Sequence, residues 1–187
     1  MKLYRPCKST LITQGYGPEQ TKPEMLPQYQ AMGLKAHNGL DVACSDGEDI
    51  RFNGTGRGKV IELSTDPKAG LGVVVFFESD GKYYKTLYWH LKTISVSVGQ
   101  IVESGDLLGT ADNTGWSTGT HLHFGLKESD IDGVTINSGN GYGGCINPEP
   151  YFENYYILDL KKQLQGQLVI LAQKVVELIK KLLSWKK

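Results

Sequence analysis

Four histidines, His37, His90, His121 and His123, are the residues of this 187-residue chain whose placement could do chemistry. His121-Leu122-His123-Phe124 sits in a stretch that reads as a strand. Side chains alternate across a strand, so His121, His123 and Gly125 share one face, while Leu122, Phe124 and Leu126 point into a core. Two imidazoles about 7 Å apart on one face can converge on a single ion or a single substrate. His37-Asn38-Gly39-Leu40-Asp41 is the second element. Asn-Gly favours a turn, so a loop entering a strand brings an imidazole and a carboxylate together, a pair suited to a divalent metal such as zinc. His90 ends the run Tyr84-Lys85-Thr86-Leu87-Tyr88-Trp89-His90, and alternation places it on the face of Tyr84, Thr86 and Tyr88. Taken alone it reads as a solvated ring at a strand end.

The elements that must position these residues follow from pattern. From Gly58 to Leu126 the sequence predicts strand after strand: Gly58–Leu63, Gly72–Glu78, Tyr83–His90, Ile101–Gly109 and His121–Leu126. Ser79-Asp80-Gly81-Lys82 is a hairpin signal. The spacings leave no room for crossover helices, so the sheet is expected to be antiparallel. Leu11–Gly17 reads as a short strand closed by glycines, and Pro18 to Lys35 as a long surface loop. The last segment changes period. Ile157, Leu160, Leu164, Leu168, Leu171, Val175, Leu178, Leu182 and Trp185 recur at intervals of three and four, a helical stripe widened by Ala172, Val176 and Ile179.

Composition bounds the rest. Twenty-three glycines argue for many tight turns and short strands rather than a helical bundle. Twenty basic and twenty acidic residues balance, which argues against a global grip on nucleic acid. The balance is uneven along the chain: residues 156–187 hold seven lysines and two acids, so the preceding body is net acidic. Cys7, Cys44 and Cys145 form no CxxC, which excludes a thiolate zinc cluster or a thioredoxin motif. One bridge, Cys7–Cys145, is the pairing weighed against three ordinary thiols. No apolar run is long enough to span a membrane as a helix.

Together the histidine elements resemble the M23 metallopeptidases, the LytM/lysostaphin type of peptidoglycan endopeptidase. The resemblance runs from about Ile12 to Leu126. It includes Ile12-Thr-Gln-Gly-Tyr-Gly17, His37-Asn-Gly-Leu-Asp41, Leu87-Tyr-Trp-His90-Leu, Val98-Gly-Gln-Ile-Val-Glu-Ser-Gly-Asp106 and Asn113-Thr-Gly-Trp-Ser-Thr-Gly-Thr-His121-Leu-His123-Phe. It implies an all-β, antiparallel sheet or sandwich of the LytM type over 1–153, behind which the helical stripe predicts an amphipathic helix over 154–187. It implies zinc ligands at His37, Asp41 and His123, leaving a fourth position for water as in catalytic sites. His90 and His121 match the two non-ligand histidines beside that water, one of them the general base. Tyr29 is the nearest match to an upstream tyrosine that helps hold the oxyanion. Cys44 departs from the family pattern; it is expected to pack as a small side chain rather than compete for the metal. The loop Pro18–Lys35 matches no family motif, and no SH3b-type wall-binding domain is recognisable after the core.

The expected activity is therefore zinc-dependent hydrolysis of peptide bonds in peptidoglycan stems or cross-bridges, acting at the bacterial cell wall. The competing readings are a non-catalytic LytM-like binding module and a structural tail component. No secretory h-region is visible at the N-terminus, which favours a phage lysin or virion-associated hydrolase over an exported enzyme. The C-terminal helix is expected to serve self-association, or contact with a membrane, wall or virion, through Lys161, Lys162, Lys174, Lys180, Lys181, Lys186 and Lys187 around its apolar stripe.

Overall fold

The alternating β-branched and aromatic runs fold as twelve short strands and two helices: β1 (Leu3–Arg5), β2 (Ile12–Gln14), α1 (Leu26–Ala31), β3 (Leu40–Ala43), β4 (Asp49–Arg51), β5 (Arg57–Asp66), β6 (Gly70–Ser79), β7 (Lys82–Ile94), β8 (Ile101–Glu103), β9 (Leu107–Ala111), β10 (His121–Ser129), β11 (Cys145–Ile146), β12 (Phe152–Tyr156) and α2 (Ile157–Ser184). The structure is a computed structural model that describes residues 1–117 and 119–184, with side chains described outside 154–163 and 181–184. Thr118, Trp185, Lys186 and Lys187 and the side chains of Lys161, Lys162 and Lys181 thus lie outside the described residues.

Ten strands form one sheet in the order β2-β3-β10-β7-β6-β5-β8, with β11 on β10 and β9 joining β7 to β4. Its pairings are antiparallel, as expected from the short connections. The β6–β7 hairpin turns at Asp80-Gly81, both left-handed at φ 53° and 73°, the twist a two-residue turn needs. Where one strand was expected over Ile101–Gly109, two occur. Ser104-Gly105-Asp106 turns between them, held by the Glu103 amide donating to the Asp106 carboxylate at 2.8 Å.

One pairing lies outside that sheet, and one expectation, the loop Pro18–Lys35, is corrected. β1 and β12 pair in parallel, because they come from opposite ends of the body and need no tight turn between them. The Pro18–Lys35 loop contains a 3₁₀ turn, Pro23–Met25, and then α1, with proline in the first turn where its missing N–H costs nothing and Tyr29 as the buried anchor.

The core lies beneath the site strands. Leu40 and Val42 of β3 and Leu122, Phe124 and Leu126 of β10 are fully buried, while the residues between them face the other way. Tyr88 closes the layer, its ring 5.4 Å from that of Phe124 and its hydroxyl donating to Asn53 Oδ1 at 2.6 Å. All three cysteines are free thiols. Of the two readings weighed, the three ordinary thiols hold and the Cys7–Cys145 bridge does not: Cys7 lies beside Cys44, whereas β11 carries Cys145 to Asn38, whose Nδ2 donates to its sulfur at 3.8 Å. Cys44 donates to the Val42 carbonyl at 3.4 Å, as a packed thiol does.

Candidate active site

Two adjacent strands bring the first three residues together. β3 pairs with β10 so that Asp41 stands opposite His123 and Ala43 opposite His121. The Asn38-Gly39 bend ahead of β3 folds His37 back over Asp41. The approach is close on all three sides. His37 Nε2 lies 3.1 Å from Asp41 Oδ1, His123 Nδ1 lies 3.0 Å from the same oxygen, and the two ring nitrogens are 3.0 Å apart. Among the described residues this is the histidine, cysteine and carboxylate group able to hold a metal ion.

The proton inventory shows what the cluster is built for. His37 donates its Nδ1–H to the Gly15 carbonyl at 2.7 Å, which leaves Nε2 a bare lone pair. Asp41 is an acceptor too: burial pushes its carboxyl up, but the His123 and His37 imidazoles outweigh that and hold it well below the usual carboxylate range. Two acceptors facing each other at 3.1 Å repel unless positive charge lies between them. A single proton on His123 Nδ1 can bridge one of these contacts, whereas a divalent cation satisfies all three. A tetrahedral ion with bonds of about 2.0–2.1 Å needs ligands about 3.4 Å apart, close to the spacing here. Two imidazoles and one carboxylate are also a donor set that zinc takes readily. The residues present fit the ion.

The other two histidines border this cluster. His121 donates its Nδ1–H to the Gly119 carbonyl at 2.7 Å, next to Ser117 Oγ at 3.1 Å, and its Nε2 comes within 3.6 Å of Asp41 Oδ1. His90 donates its Nδ1–H to the Thr114 carbonyl at 2.6 Å, and its ring centroid is 4.8 Å from that of His121 and 6.1 Å from that of His123. Burial, then the neighbouring His123 and His121, push His90 down to about 4, so it is neutral near pH 7. Burial likewise pushes His123 down.

His90 reaches the cluster by breaking the alternation expected of it. Phe124 pairs with Tyr88 and His123 with Trp89, so strict alternation would turn His90 to the core side with Tyr88. Instead His90 has φ 62°, and the register of β6 slips so that Gly72 alone stands opposite Trp89 and His90. This bulge re-aims the imidazole across the sheet to the face of His121 and His123. Histidine is among the residues that tolerate the left-handed region.

Tyr29 is buried on α1, its ring 5.5 Å from that of His37. Gln14 Nε2 donates to its hydroxyl at 2.7 Å, and burial, then the Asp41 charge, push the phenol up to about 12. It is therefore a protonated hydroxyl beside His37. Several positioning groups carried no signal in the sequence. Thr21 Oγ1 accepts the His37 amide at 3.0 Å and donates to the Gly17 carbonyl at 2.7 Å, so the unmatched loop fixes His37. Gly39 has no room for a side chain: a Cβ there would stand 2.5 Å from the Phe124 carbonyl and 2.7 Å from His123 Nε2. A cavity of about 360 Å³ opens between Met25 and Gln28 of the loop and Gly115-Trp116-Ser117; no histidine lines it, and it adjoins the site through Ser117, whose Oγ is 3.1 Å from His121 Nδ1. Trp116 is exposed there, with the Lys68 ammonium 5.2 Å from its ring. A second cavity of about 400 Å³, beside Glu128 and Ile136, includes none of the histidines.

Comparison with known proteins agrees with this arrangement. Residues 35–143 match the model of Peptidase family M23. The peptidoglycan DD-endopeptidase ShyA of Vibrio cholerae is 40% identical over 132 residues, 71% of this chain and 29% of that protein. The crystal structure of a zinc-containing peptidase from Vibrio cholerae superposes with a TM-score of 0.54 at 32% identity, covering 73% of this chain and 39% of that one. The catalytic domain of lysostaphin from Staphylococcus simulans shares the fold, with a TM-score of 0.53 at 22% identity over 78% of this chain and 91% of that domain. This chain spans about a quarter of the length of the curated relatives it matches, 24% and 29% for the first two. With the family model matched across both His37–Asp41 and His121–His123, the chain belongs to peptidase family M23.

Proposed function

We propose that the chain is a zinc metalloendopeptidase that hydrolyses peptide bonds in peptidoglycan. The observation that carries this reading is the convergence of His37 Nε2, Asp41 Oδ1 and His123 Nδ1 within 3.1 Å of one another, bordered by two further imidazoles. When bound, zinc supplies Lewis acidity that polarises a carbonyl and lowers the pKa of a water towards ~7.

The chain's own residues do the rest. His121 is placed to take the water's proton, because its Nδ1–H is committed to Gly119 and its bare Nε2 faces Asp41 Oδ1 at 3.6 Å. Once protonated, the same nitrogen can donate to the departing amine. His90 resists protonation in its buried position, so its Nε2 remains an acceptor that orients the water. Tyr29 keeps its proton and accepts from Gln14, which leaves its O–H free to donate to the oxyanion.

For the scissile bond, we place cross-links between stem peptides ahead of glycine bridges. The relatives ShyA and ShyB are named peptidoglycan DD-endopeptidases at 40% and 38% identity. The cavity adjoining Ser117 offers the apolar side chains of Met25 and Trp116, which substituted residues would use and glycine would not. Digestion of purified sacculi followed by mass spectrometry of the muropeptides tests both parts. Cross-linked dimers should be split into monomers, and a chelator or His123→Ala should abolish this. Clearing that ignores chelator defeats the metal mechanism. Products cut within a glycine bridge alone defeat the bond assignment. The delivery route, a phage lysin or virion-associated hydrolase, is a separate proposal. Mass spectrometry of purified virions and of phage lysates tests it, and absence from both refutes it.

A further inference from the structure

We infer that α2 lies flat on an anionic lipid surface and holds the hydrolase beside it. The helix runs for 28 residues from the end of β12, and among the described residues its main contact with the body is that adjoining strand. Its apolar residues are therefore open to solvent: Leu168, Val169, Leu171, Val175, Val176, Leu178 and Ile179 are each exposed, from 47% at Val175 to 68% at Leu168. A soluble domain does not leave such a face uncovered without an occupant.

The shape of the face chooses the occupant. At about 100° per residue, these positions and Ala172 fill a continuous arc about 180° wide. A two-helix seam uses a narrower stripe and would leave Val169 and Val176 in water. With Leu168 and Val175 at one core position of the heptad and Leu171 and Leu178 at the other, the flanking positions that pair charges across a dimer hold Lys174 on one side and Ala172 and Ile179 on the other. Lys174 then has no acidic partner across the seam. A flat interface accepts half a helix. The opposite arc carries Lys174 and Lys180 against Glu177, interrupted by the exposed Ile170, and residues 156–187 hold seven lysines to two acids. A half-apolar helix with a lysine-rich polar arc is the composition that seats at the headgroup boundary of anionic lipid. Among the described residues no helix is long and apolar enough to cross a membrane, so the geometry is lying, not spanning.

The test uses the full chain in flotation with vesicles of phosphatidylglycerol mixed with phosphatidylcholine, and with vesicles of phosphatidylcholine alone. The chain should float with the anionic vesicles and release as salt rises. Lys174→Glu should weaken binding by at least about fivefold, the worth of one surface lysine. Leu171→Glu with Leu178→Glu should lower binding by more than about tenfold, since both charges enter the apolar arc. Bound zinc and digestion of lipid-free sacculi at the unsubstituted level show that the body of each variant is folded. Absence of vesicle binding, or equal binding by the double variant, overturns the proposal. Absence together with an oligomer in sedimentation velocity that the double variant disperses assigns the face to a second copy instead.

Discussion

Gly39→Ala isolates the geometric demand of the proposed metal site, because it adds one methyl group and leaves His37, Asp41 and His123 unchanged. Gly39 does not have a left-handed backbone, so alanine meets no conformational penalty there, only space. The new Cβ would stand 2.5 Å from the Phe124 carbonyl oxygen and 2.7 Å from His123 Nε2, whereas ordinary contact begins near 3.4 Å. Both contacts must open, by about 0.9 Å at the carbonyl and about 0.7 Å at the imidazole, and a shift of Gly39 away from the one does not relieve the other. The carbonyl belongs to β10, paired on both sides by β3 and β7, and is the harder to move. The His123 ring therefore yields, and its Nδ1 leaves the position 3.0 Å from Asp41 Oδ1. Functional groups must hold to within about 0.5 Å, so a displacement of this size breaks the ligand triangle. We expect a loss of about 10–100-fold in zinc affinity and a fold cost of about 1–3 kcal/mol from overpacking. Competition with a chromophoric chelator reads the first. Thermal unfolding with and without chelator reads the second, and the rise in Tm on adding zinc should shrink. A Gly39→Ala protein with unchanged zinc affinity would refute the claim that His123 is held by this contact.

Further predictions concern separate parts of the structure. His121→Ala should lower the rate of muropeptide cleavage by about 10²–10⁴-fold with zinc content unchanged; loss of zinc together with activity would make His121 a ligand instead. Phe124→Ala, which empties a fully buried ring site against Tyr88 and Phe152, should destabilise the body by about 3–5 kcal/mol in urea unfolding; a change under about 1 kcal/mol would mean that the site collapses freely. Burial raises Tyr16 and Tyr29 to about 12 from their usual value, so the stability they lend is intact below pH ~10 and is lost as the pH climbs through about 12. A spectrophotometric titration should show tyrosines that ionise late, and ionisation of all ten together near pH ~10 would contradict the burial.

The parts of the site that sequence made legible rest on short-range pattern. The strand period at His121-Leu122-His123 and the Asn-Gly bend after His37 each dictate their own geometry within a few residues. Antiparallel pairing of β3 with β10 then sets Asp41 opposite His123. What escaped depends on longer-range events. Alternation put His90 on the wrong face, because a bulge against β6 and a left-handed φ re-aim it, and neither is written in the local pattern. The carbonyls of Gly15, Thr114 and Gly119, which fix the tautomers of three histidines, belong to residues whose side chains give no hint of the role. α1 was invisible because six residues with a proline carry too little periodicity to announce a helix. The parallel pairing of β1 with β12 joins segments from opposite ends of the body, a contact no local window contains.

Anomalous scattering at the zinc absorption edge, from crystals grown with one equivalent of zinc, tests the central claim most directly. A single peak about 2.0–2.2 Å from His37 Nε2, Asp41 Oδ1 and His123 Nδ1 is the predicted result. A peak that includes the Cys44 sulfur or replaces one of these three atoms, or none at the cluster, would contradict it.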